Sequence, residues 1–507
     1  MNQGSSVAVI GSGLGGLAAA CVSAARGHRV TLYDKNDWLG GKAAVLHEGG
    51  FRFDMGPTIL TVPRVLERIF SEAGRDINDY LDLRRLDPQW RCFFDDGTRI
   101  DLMQDVATMA AEMDRFVPGA GAGRAIKIPL HLRAPARGLG KILLLEAGRG
   151  PVRHDQHPGE HEPRHPAGCA LLAHARLGRQ HHPRQGEGRP PRPDARPLRA
   201  VCRLLALRRA GGALRHRPHA DGGRSLVPDG GTRAVAEALA KLAGELGATL
   251  KPGSEVTGLD IENGAVRGVR TRDGTAAFDA VISNMDSVRT YKELVGGEVG
   301  RAYEKKNPEP ACSGVVLYLG LNKRYEHLNH HDFVFSRDPE EEFDWIYRRG
   351  EPAPDPTAYL AAPSSTDPSV APEGGEALYV LVHTPYLRPH HDWSTMFPAY
   401  RQVILDKLKR TAGMPDLEER IVVERHLTPQ DIHDRYKVLN GAIYGLASHG
   451  RVMGAFKPGN RSRQVRNLYL AGGAAHPGPG MPMVMMSGWI AADAHDQDAR
   501  GGLRQSA

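Results

Sequence analysis

The chain begins with a short apolar run that breaks into glycines, and this segment, residues 7–16 (VAVIGSGLGG), constrains the fold most strongly. It predicts the first strand, tight turn and helix start of a dinucleotide-binding βαβ unit. Gly11 permits the turn, Gly13 allows the backbone to approach a pyrophosphate, and Gly16 allows the following helix to pack on the strand. The phosphates would lie at the helix N-terminus, where free N–H groups favour negative charge. The turn residues expected to contact such a cofactor are Gly11, Gly13, Leu14, Gly15 and Gly16.

The segment after this helix, which is predicted over residues 15–26, supports the same interpretation. Residues 29–33 (RVTLY) predict a second strand, and Asp34 follows it about 20 residues after the glycine turn, as in dinucleotide-binding folds. A carboxylate at this place can accept a hydrogen bond from a ribose hydroxyl. The alternative is a glycine turn that binds no ligand.

The whole chain has 507 residues and a formal charge of +7. This length predicts more than one domain. No basic and apolar leader precedes the first strand, and no run of 18 apolar residues occurs, so we expect neither a signal peptide nor a membrane-spanning helix. The five cysteines are widely separated and form no C-x-x-C pair, which favours a reducing cytoplasm and argues against a structural metal site.

Residues 131–224 differ from the rest of the chain in composition. They contain 18 Arg, 1 Lys, 10 His and 11 Pro, but no Phe, Tyr, Trp, Ser, Thr, Asn or Met. Because Asp and Glu together number only 7 here, this segment carries a net charge of +12, against +7 for the whole chain. The basic character of the chain is therefore local, and a segment of this composition does not predict a packed domain.

Three interpretations compete for the wider segment, residues 127–224. An Arg- and Pro-rich arm could bind nucleic acid, but such arms usually contain lysine, serine and aromatic residues. Four histidines within residues 154–165 recur near helical spacing, but the prolines among them would break the helix that aligns metal ligands, so we expect no metal site. The hypothesis we favour is a compensated double frameshift in a GC-rich gene, which leaves the segment disordered. Permitted codons for residues 194–202, read from the next base, can encode the amphipathic sequence Met-Leu-Asp-His-Phe-Val-Gln-Tyr.

Regular structure is predicted again after this segment. Thr232 can cap a helix whose apolar residues recur at the 3.6-residue period and which ends at Gly247. Strands are expected near residues 249–250, 255–261, 266–271 and 278–284, with turns at 262–264 and 273–274. Residues 310–455 alternate strand-like runs with Pro-rich loops and contain one helix near residues 397–411. This pattern indicates a mixed sheet.

The last informative stretch, residues 467–483 (NLYLAGGAAHPGPGMPM), is again a strand that runs into glycines. A helix is expected after it, over residues 484–494. A second strand–glycine–helix unit so far from the first implies that the cofactor-binding domain is discontinuous, with glycines that allow backbone N–H groups to approach the cofactor. The alternative is an ordinary glycine-rich turn.

Together these segments resemble the bacterial-type phytoene desaturase family, which are carotenoid desaturases within the amine-oxidase-like flavoprotein superfamily. The resemblance covers about four fifths of the chain. It is carried by residues 11–16 with Asp34, 38–42 (WLGGK), 53–57 (FDMGP), 312–321, His330 with His331, 361–369 and 468–478. Residues 127–224 depart from it, because the family has a helical, aromatic-containing part of the substrate domain there.

The resemblance implies an α/β fold with a discontinuous Rossmann-like FAD-binding domain and a mixed α+β substrate domain. The expected domain segments are residues 1–65, 225–290 and 460–507 for FAD, and 66–126 and 291–459 for the substrate, with 127–224 replacing part of the latter. Beside the glycine turn, the residues expected to contact FAD are Asp34, Lys35, Gly40, Gly41, Lys42, Gly56, Pro57, Val256, Gly472, Gly473, Gly480, Met481 and Pro482. No cysteine follows Cys312, so we expect non-covalent FAD and no C-terminal flavin thioether.

The implied activity is the removal of a hydride and a proton from adjacent saturated carbons of a C40-type polyene, with FAD accepting the hydride. His476 is the candidate catalytic base, and a purely structural role for it is the alternative. An amine-oxidase-like flavoenzyme, a carotenoid isomerase or oxygenase, and an inactive frameshifted remnant remain open as functions. Because a carotenoid resides in the bilayer, we expect a cytoplasmic protein on the inner face of the membrane, with no nucleic-acid partner. The sequence does not indicate an oligomeric state.

Overall fold

The structure, a computed structural model, describes residues 4–116, 225–447 and 457–505. Packing divides the chain into two compact units, and the larger unit holds all the described residues except 101–116, which belong to the smaller one. The proposed frameshifted segment, residues 127–224, lies outside the described residues. The domain boundaries expected from the sequence stay a prediction.

The strands are β1 (Ser6–Ile10), β2 (Arg29–Tyr33), β3 (Val45–Glu48), β4 (Phe51–Asp54), β5 (Leu60–Thr61), β6 (Leu83–Arg85), β7 (Trp90–Phe93), β8 (Arg99–Leu102), β9 (Ser225–Pro228), β10 (Thr249–Lys251), β11 (Val256–Glu262), β12 (Ala265–Thr271), β13 (Gly274–Ala277), β14 (Ala280–Ser283), β15 (Ser313–Leu321), β16 (His331–Val334), β17 (Ala358–Ala361), β18 (Glu376–Thr384), β19 (Ile421–Leu427) and β20 (Leu468–Leu470). The α-helices are α1 (Leu14–Ala25), α2 (Arg64–Glu72), α3 (Val106–Phe116), α4 (Gly231–Glu245), α5 (Ser287–Arg289), α6 (Gly297–Lys305), α7 (Pro339–Phe343), α8 (Trp393–Thr411), α9 (Leu417–Arg420), α10 (Pro429–Tyr436) and α11 (Met481–Gln505).

A five-stranded parallel sheet in the order β10-β2-β1-β14-β20 forms the first core. Its central strand β1 is buried on both faces, as the continuous apolar run predicts, with Val7 and Val9 fully buried. Its strands come from segments hundreds of residues apart, which confirms the predicted α/β class and the discontinuous Rossmann-like arrangement. Because the strands are parallel, their carboxyl ends meet at one edge, where ligands bind in folds of this type.

Helices α1 and α11 pack closely against each other beside this sheet. Their contact depends on small residues, since a Cβ atom at Gly488 would lie 2.0 Å from the carbonyl oxygen of Gly15. A Cβ atom at Gly16 would lie 1.9 Å from the carbonyl oxygen of Gly11, so only glycine allows α1 to start this close to β1. The role predicted for Gly16 in packing is therefore confirmed.

A seven-stranded sheet in the order β19-β15-β18-β17-β16-β7-β8 forms the second core. Most of its pairs are antiparallel and β16 pairs with β7 in parallel, so the predicted mixed sheet is confirmed. Every residue of β15 is buried, and its Leu317 and Leu319 belong to one apolar cluster with Ile404 and Leu408 of α8. The smaller sheets are the hairpin β3-β4, the meander β11-β12-β13 and the group β5-β9-β6.

One predicted cap was wrong, and two predicted helices are present but extend beyond their expected bounds. Thr232 is not the cap of α4, because Gly230 precedes the helix in a left-handed conformation (φ 77°) and Thr232 lies in its first turn. Helix α8 starts at Trp393, four residues before the predicted start, because the side chain of Asp392 accepts the N–H of Ser394 over 3.0 Å.

Helix α11 starts at Met481 and extends to Gln505, well beyond the predicted residues 484–494. Pro482 fits in its first turn, where a missing N–H costs nothing. The C-terminal extension is polar and is held by side-chain pairs four residues apart, such as Arg500 with Asp496 at 2.9 Å. No described helix has the length and apolarity needed to cross a bilayer.

Candidate cofactor-binding site

The turns that follow β1, β14 and β20 meet at the carboxyl edge of the parallel sheet around one side chain, Asn284. Its Nδ2 lies 3.4 Å from the carbonyl oxygen of Gly11, which has a φ of +90°. A Cβ atom at Gly15 would lie 2.5 Å from Asn284 Oδ1, and one at Gly472 would lie 2.6 Å from the same atom. The N-terminal and C-terminal glycine segments are therefore brought together, and we call this arrangement the glycine cradle.

The residues Gly40 and Gly41 complete the cradle. The N–H of Gly40 donates to the carbonyl oxygen of Ser12 over 2.9 Å, and Gly13 and Gly40 form a parallel bridge. A Cβ atom at Gly41 would lie 3.0 Å from the Cα of Gly13. Glycine at these positions therefore allows this segment to pack directly on the backbone of the turn.

Asp34 lies at the end of β2, as predicted, and is 6% exposed. Its Oδ2 accepts both the N–H and the hydroxyl of Ser12 at 2.6 Å, and its Oδ1 accepts the N–H of Asn36 at 2.8 Å. A carboxylate has about four acceptor positions. One position therefore remains for a ribose hydroxyl, and Ser12 holds the carboxylate in place for it.

Lys35 and Val256 flank this end of the sheet. Lys35 Nζ donates to Asn36 Oδ1 at 2.9 Å and to the carbonyl oxygen of Arg435 at 3.0 Å, and burial lowers the pKa of its ammonium group. Val256 starts β11, and its side chain belongs to the buried cluster that includes Ile10.

Lys42, Gly56 and Pro57 form a second layer beside the cradle. A Cβ atom at Gly56 would lie 2.2 Å from the carbonyl oxygen of Lys42, so the two backbones are in close contact. The carbonyl oxygen of Pro57 accepts the hydroxyl of Thr232 at 2.5 Å. Burial lowers the pKa of Lys42 to about 8, while the negative charge of Asp286 opposes this shift.

The C-terminal segment approaches the cradle through the start of α11. Gly472 and Gly480 have φ values of +92° and +107°. A Cβ atom at Gly15 would lie 2.9 Å from the carbonyl oxygen of Val484. Met481 and Pro482 lie in the first helical turn and not in the preceding loop, while the nearest neighbour of a Cβ atom at Gly473 would be Pro479.

His476, the candidate catalytic base, lies in the loop between β20 and α11 and is half-buried. Its N–H donates to the carbonyl oxygen of Pro458 at 2.9 Å, and its own carbonyl oxygen accepts from Asn460 Nδ2 at 2.9 Å. These bonds hold its backbone. Its catalytic role stays a prediction.

A chain of buried polar side chains crosses from the segment after Pro57 into the mixed sheet. Thr58 Oγ1 lies 2.5 Å from the hydroxyl of Tyr359, which lies 2.8 Å from His331 Nδ1. Burial keeps the pKa of His331 well below its ordinary value of 6.5, so its imidazole is neutral. A cleft beside this chain is lined by polar and apolar side chains, including Thr58, His330, Asp54 and Tyr379.

Glu351, His390 and His391 form one group of side chains that could approach a metal ion together. It lies far along the chain from the cradle segments. His391 Nε2 already bonds the carbonyl oxygen of Gly350 at 2.9 Å, and His390 Nε2 bonds Glu351 Oε1 at 3.0 Å. One histidine is therefore already bonded to the backbone, and the other is bonded to the glutamate of the same group.

Four residues of the site were not identified from the sequence, and these are Ser12, Asn284, Asp286 and Lys457. Asn284 carried a usable signal, because it is a polar residue directly after a buried strand whose carboxyl end belongs to the ligand edge. Asp286 and Lys457 carried no sequence signal, because only the folded chain places them close enough to interact.

The glycine cradle, the available acceptor position on Asp34 and the N-termini of α1 and α11 fit an extended dinucleotide such as FAD. Glycines leave room for its pyrophosphate against the start of α1, where free N–H groups favour the phosphate charge. Asp34, which Ser12 holds in place, lies where its carboxylate could bind the ribose at one end of the dinucleotide.

Comparison with known proteins agrees with this assignment. The chain matches the model of the family described as flavin containing amine oxidoreductase over residues 14–494. It is 34% identical to the 4,4'-diapolycopene oxygenase of Methylomonas sp, covering 97% of this chain and 98% of that protein. It is 33% identical to the zeta-carotene-forming phytoene desaturase of Myxococcus xanthus, covering 96% of this chain and 92% of that protein.

A solved oxidoreductase from Methanosarcina mazei has the same fold, with a TM-score of 0.56 at 16% identity over 97% of this chain and 100% of that chain. The family match confirms a flavin-dependent oxidoreductase and the expected FAD cofactor. The chain belongs to the flavin containing amine oxidoreductase family, and within it to the group that includes the carotenoid desaturases and oxygenases.

Proposed function

We propose that this chain is an FAD-dependent carotenoid desaturase, which removes a hydride and a proton from adjacent saturated carbons of a C40-type polyene. The observation that carries the proposal is the match to carotenoid enzymes over 96–97% of the chain, together with the intact glycine cradle. When bound, FAD supplies the hydride acceptor. The protein must bind the cofactor and the substrate, orient them and accept the proton.

The residues proposed to hold FAD divide by their place in the cradle. The ribose end is assigned to Asp34, Lys35 and Val256, and the pyrophosphate to residues 11–16 at the start of α1. The flavin end is assigned to Gly40, Gly41, Lys42, Gly56, Pro57, Gly472, Gly473, Gly480, Met481 and Pro482. FAD is proposed to be non-covalent, so acid precipitation of the protein should release all of it.

A carotenoid oxygenase is the second candidate function, because the Methylomonas relative bears that name at nearly the same identity as the Myxococcus desaturase. An amine oxidase would need a pocket suited to a cationic amine, and neither relative is named for one. Desaturation removes two hydrogens for each double bond formed, whereas oxygenation adds oxygen. The masses of the products therefore separate the two.

The proposed substrate also implies where the enzyme acts. A carotenoid is apolar along its length and dissolves in the bilayer core, so the enzyme must receive it at a membrane surface. We propose peripheral association with the inner face of the cytoplasmic membrane. Co-sedimentation with lipid vesicles tests this, and an enzyme that desaturates vesicle-borne carotenoid while staying entirely in the supernatant contradicts it.

The deciding experiment is to express the full chain, measure the visible absorbance of bound flavin, and assay it with phytoene, neurosporene-type carotenoids and amines. We expect a yellow soluble protein that produces carotenoids lacking hydrogen pairs. Products of unchanged composition would indicate an isomerase, oxygen-containing products an oxygenase, and turnover of amines alone an amine oxidase. A flavin-free aggregate would indicate an inactive remnant.

A further inference from the structure

Two lysines and one aspartate, Lys42, Lys457 and Asp286, lie together beside the glycine cradle, and we call them the lysine cluster. Lys42 Nζ donates to the carbonyl oxygen of Ile443 at 3.2 Å, and Lys457 Nζ donates to the carbonyl oxygen of Leu446. Lys42 directly follows Gly41. The side chain of Lys457 reaches Gly478, since a Cβ atom there would lie 3.6 Å from Lys457 Cε.

Asp286 supplies the only negative charge that we assign to this cluster. Its Oδ1 accepts the N–H groups of Val288 and Arg289 at 3.0 and 3.3 Å. Burial raises the pKa of Asp286, while the backbone N–H groups of Arg289, Val288 and Leu439 oppose this shift. Burial lowers the pKa of Lys42 and of Lys457 to about 8 each, and the charge of Asp286 opposes the shift in both. The charge of one carboxylate therefore acts on two ammonium groups, without a direct ion pair to either.

An uncompensated positive charge in a partly buried site is costly unless a ligand or a water-filled space accommodates it. With both lysines protonated and Asp286 ionised, the lysine cluster carries a net positive charge. Neither lysine forms an ion pair with a carboxylate within the described ranges, and their Nζ atoms donate to the carbonyl oxygens of Ile443 and Leu446. The missing negative charge is thus expected on the bound cofactor.

The strand order indicates which part of the cofactor faces the lysine cluster. Asp34 follows β2 and the pyrophosphate turn follows β1, whereas Asp286 follows β14 and Gly478 follows β20. Since β1 lies between β2 and β14, the lysine cluster and Asp34 are on opposite sides of the pyrophosphate turn. An FAD with its ribose at Asp34 and its pyrophosphate at the turn would extend its flavin ring to the side of the lysine cluster.

We propose that Lys42 and Lys457 stabilise the negative charge that the flavin ring acquires when it accepts hydride, and thereby raise its reduction potential. The proposal rests on the FAD placement given above. A hydride delivers two electrons and one proton to a neutral ring, which leaves one negative charge on it. A cation near the ring stabilises this charged form more than the neutral oxidised form.

A contact with the pyrophosphate is the competing interpretation, and it predicts a different result. The pyrophosphate carries the same charge before and after reduction. Lysines bound to it would strengthen the binding of oxidised and reduced FAD by the same factor and leave the potential unchanged.

The test is to measure the midpoint potential of the bound flavin against a reference dye, and the dissociation constant of oxidised FAD, for the full chain and its Lys42→Met and Lys457→Met variants. In each variant we expect the ratio of the affinity for reduced flavin to the affinity for oxidised flavin to fall at least tenfold. For a two-electron couple this is a fall of about 30 mV. Lys457→Arg should restore the potential, because it keeps the positive charge.

Asp286→Asn should shift the potential in the opposite direction, because it removes the negative charge and keeps an acceptor for Val288 and Arg289. Lys323→Met is the matched control, since it makes the same change at an exposed position. Unchanged potentials in both lysine variants, or equal losses for oxidised and reduced FAD, would overturn the proposal while leaving the FAD site intact. A wild-type protein that binds no FAD would overturn the FAD placement and this inference together.

Discussion

The carboxylate of Asp54 accepts the backbone N–H of Thr232 over 2.8 Å, although 178 residues separate the two along the chain. The hydroxyl of Thr232, which donates to the carbonyl oxygen of Pro57, also lies 3.3 Å from this carboxylate oxygen. Thr232 lies in the first turn of α4, whose N–H groups have no partner within the helix. A strand of the N-terminal hairpin therefore supplies the cap of a helix that begins after residue 230.

Replacement of Asp54 by alanine should lower the free energy of unfolding by about 1–3 kcal/mol, because a buried N–H loses a charged acceptor. The change also removes one of two partners of Arg52, whose Nη2 lies 3.4 Å from Asp54 Oδ1 and also donates to the carbonyl oxygen of Gly230. The melting temperature of the purified protein measures the effect. Asp273→Ala, at an exposed turn, is the control and should melt like wild type. Equal melting temperatures for both variants would show that the cap contributes no stability.

Gly16→Ala should abolish FAD binding and lower the melting temperature. Its methyl group would lie 1.9 Å from the carbonyl oxygen of Gly11, so α1 would have to move away from β1 and open the cradle. Gly244→Ala is the matched control, since a Cβ atom there meets nothing within 4 Å and alanine favours a helix by up to about 1 kcal/mol. The visible absorbance of co-purified flavin is the measurement, and a Gly16→Ala protein with a full complement of FAD would refute the prediction.

The parallel sheet and the glycine segments could be predicted because their signals are local. A continuous apolar run before glycines marks β1, and the same pattern marks β20. The cap of α4 could not be predicted, since Thr232 satisfies the local rule for a cap and the actual acceptor comes from Asp54. The roles of Lys457 and Asp286 could not be predicted either, because only the folded chain brings the two residues close together. Local rules identify the backbone of the site, whereas its charged partners depend on the tertiary fold.

Lys407 is the clearest case of a buried charge that the sequence pattern cannot explain. It lies on the buried face of the amphipathic helix α8 and is 1% exposed. Its Nζ donates to Asp95 at 3.1 Å and to Asp355 at 3.0 Å. Lys407→Met should lower the free energy of unfolding at pH 7 by about 1–3 kcal/mol, because two partly buried carboxylates lose their hydrogen bonds to a buried cation and keep only the exposed Arg337 and Arg410. Lys409→Met, on the same helix and partly exposed, is the control and should cost about 1 kcal/mol or less.

The effect of Lys407→Met should also depend on pH. Burial alone would raise the pKa of Asp355, but the N–H of Arg337 and the ammonium of Lys407 hold it below the ordinary value of 3.8. A carboxyl with a lowered pKa stabilises the fold above its ordinary pKa, and this contribution is lost as the pH falls through its lower value in the folded protein. Melting temperatures of variant and wild type should therefore converge below about pH 4. A constant difference at all pH values would contradict the charge pairing.

His330 should make the protein less stable in mild acid. Burial lowers its pKa from 6.5 to about 4, and its Nδ1 lies 2.5 Å from Thr366 Oγ1. Between these two pH values the unfolded chain binds a proton that the folded chain does not, so stability falls as the pH falls, by up to about 1.4 kcal/mol per pH unit.

His330→Asn keeps an acceptor near Thr366 and removes the titrating group. Its melting temperature should therefore fall less than that of wild type when the pH is lowered from 7 to 5, even though His331 is retained. The exposed His47 is the control residue, and His47→Asn should leave the pH dependence unchanged. If His330→Asn and wild type lose the same stability over this interval, His330 is protonated in the fold, and the cleft that it lines must be open to water.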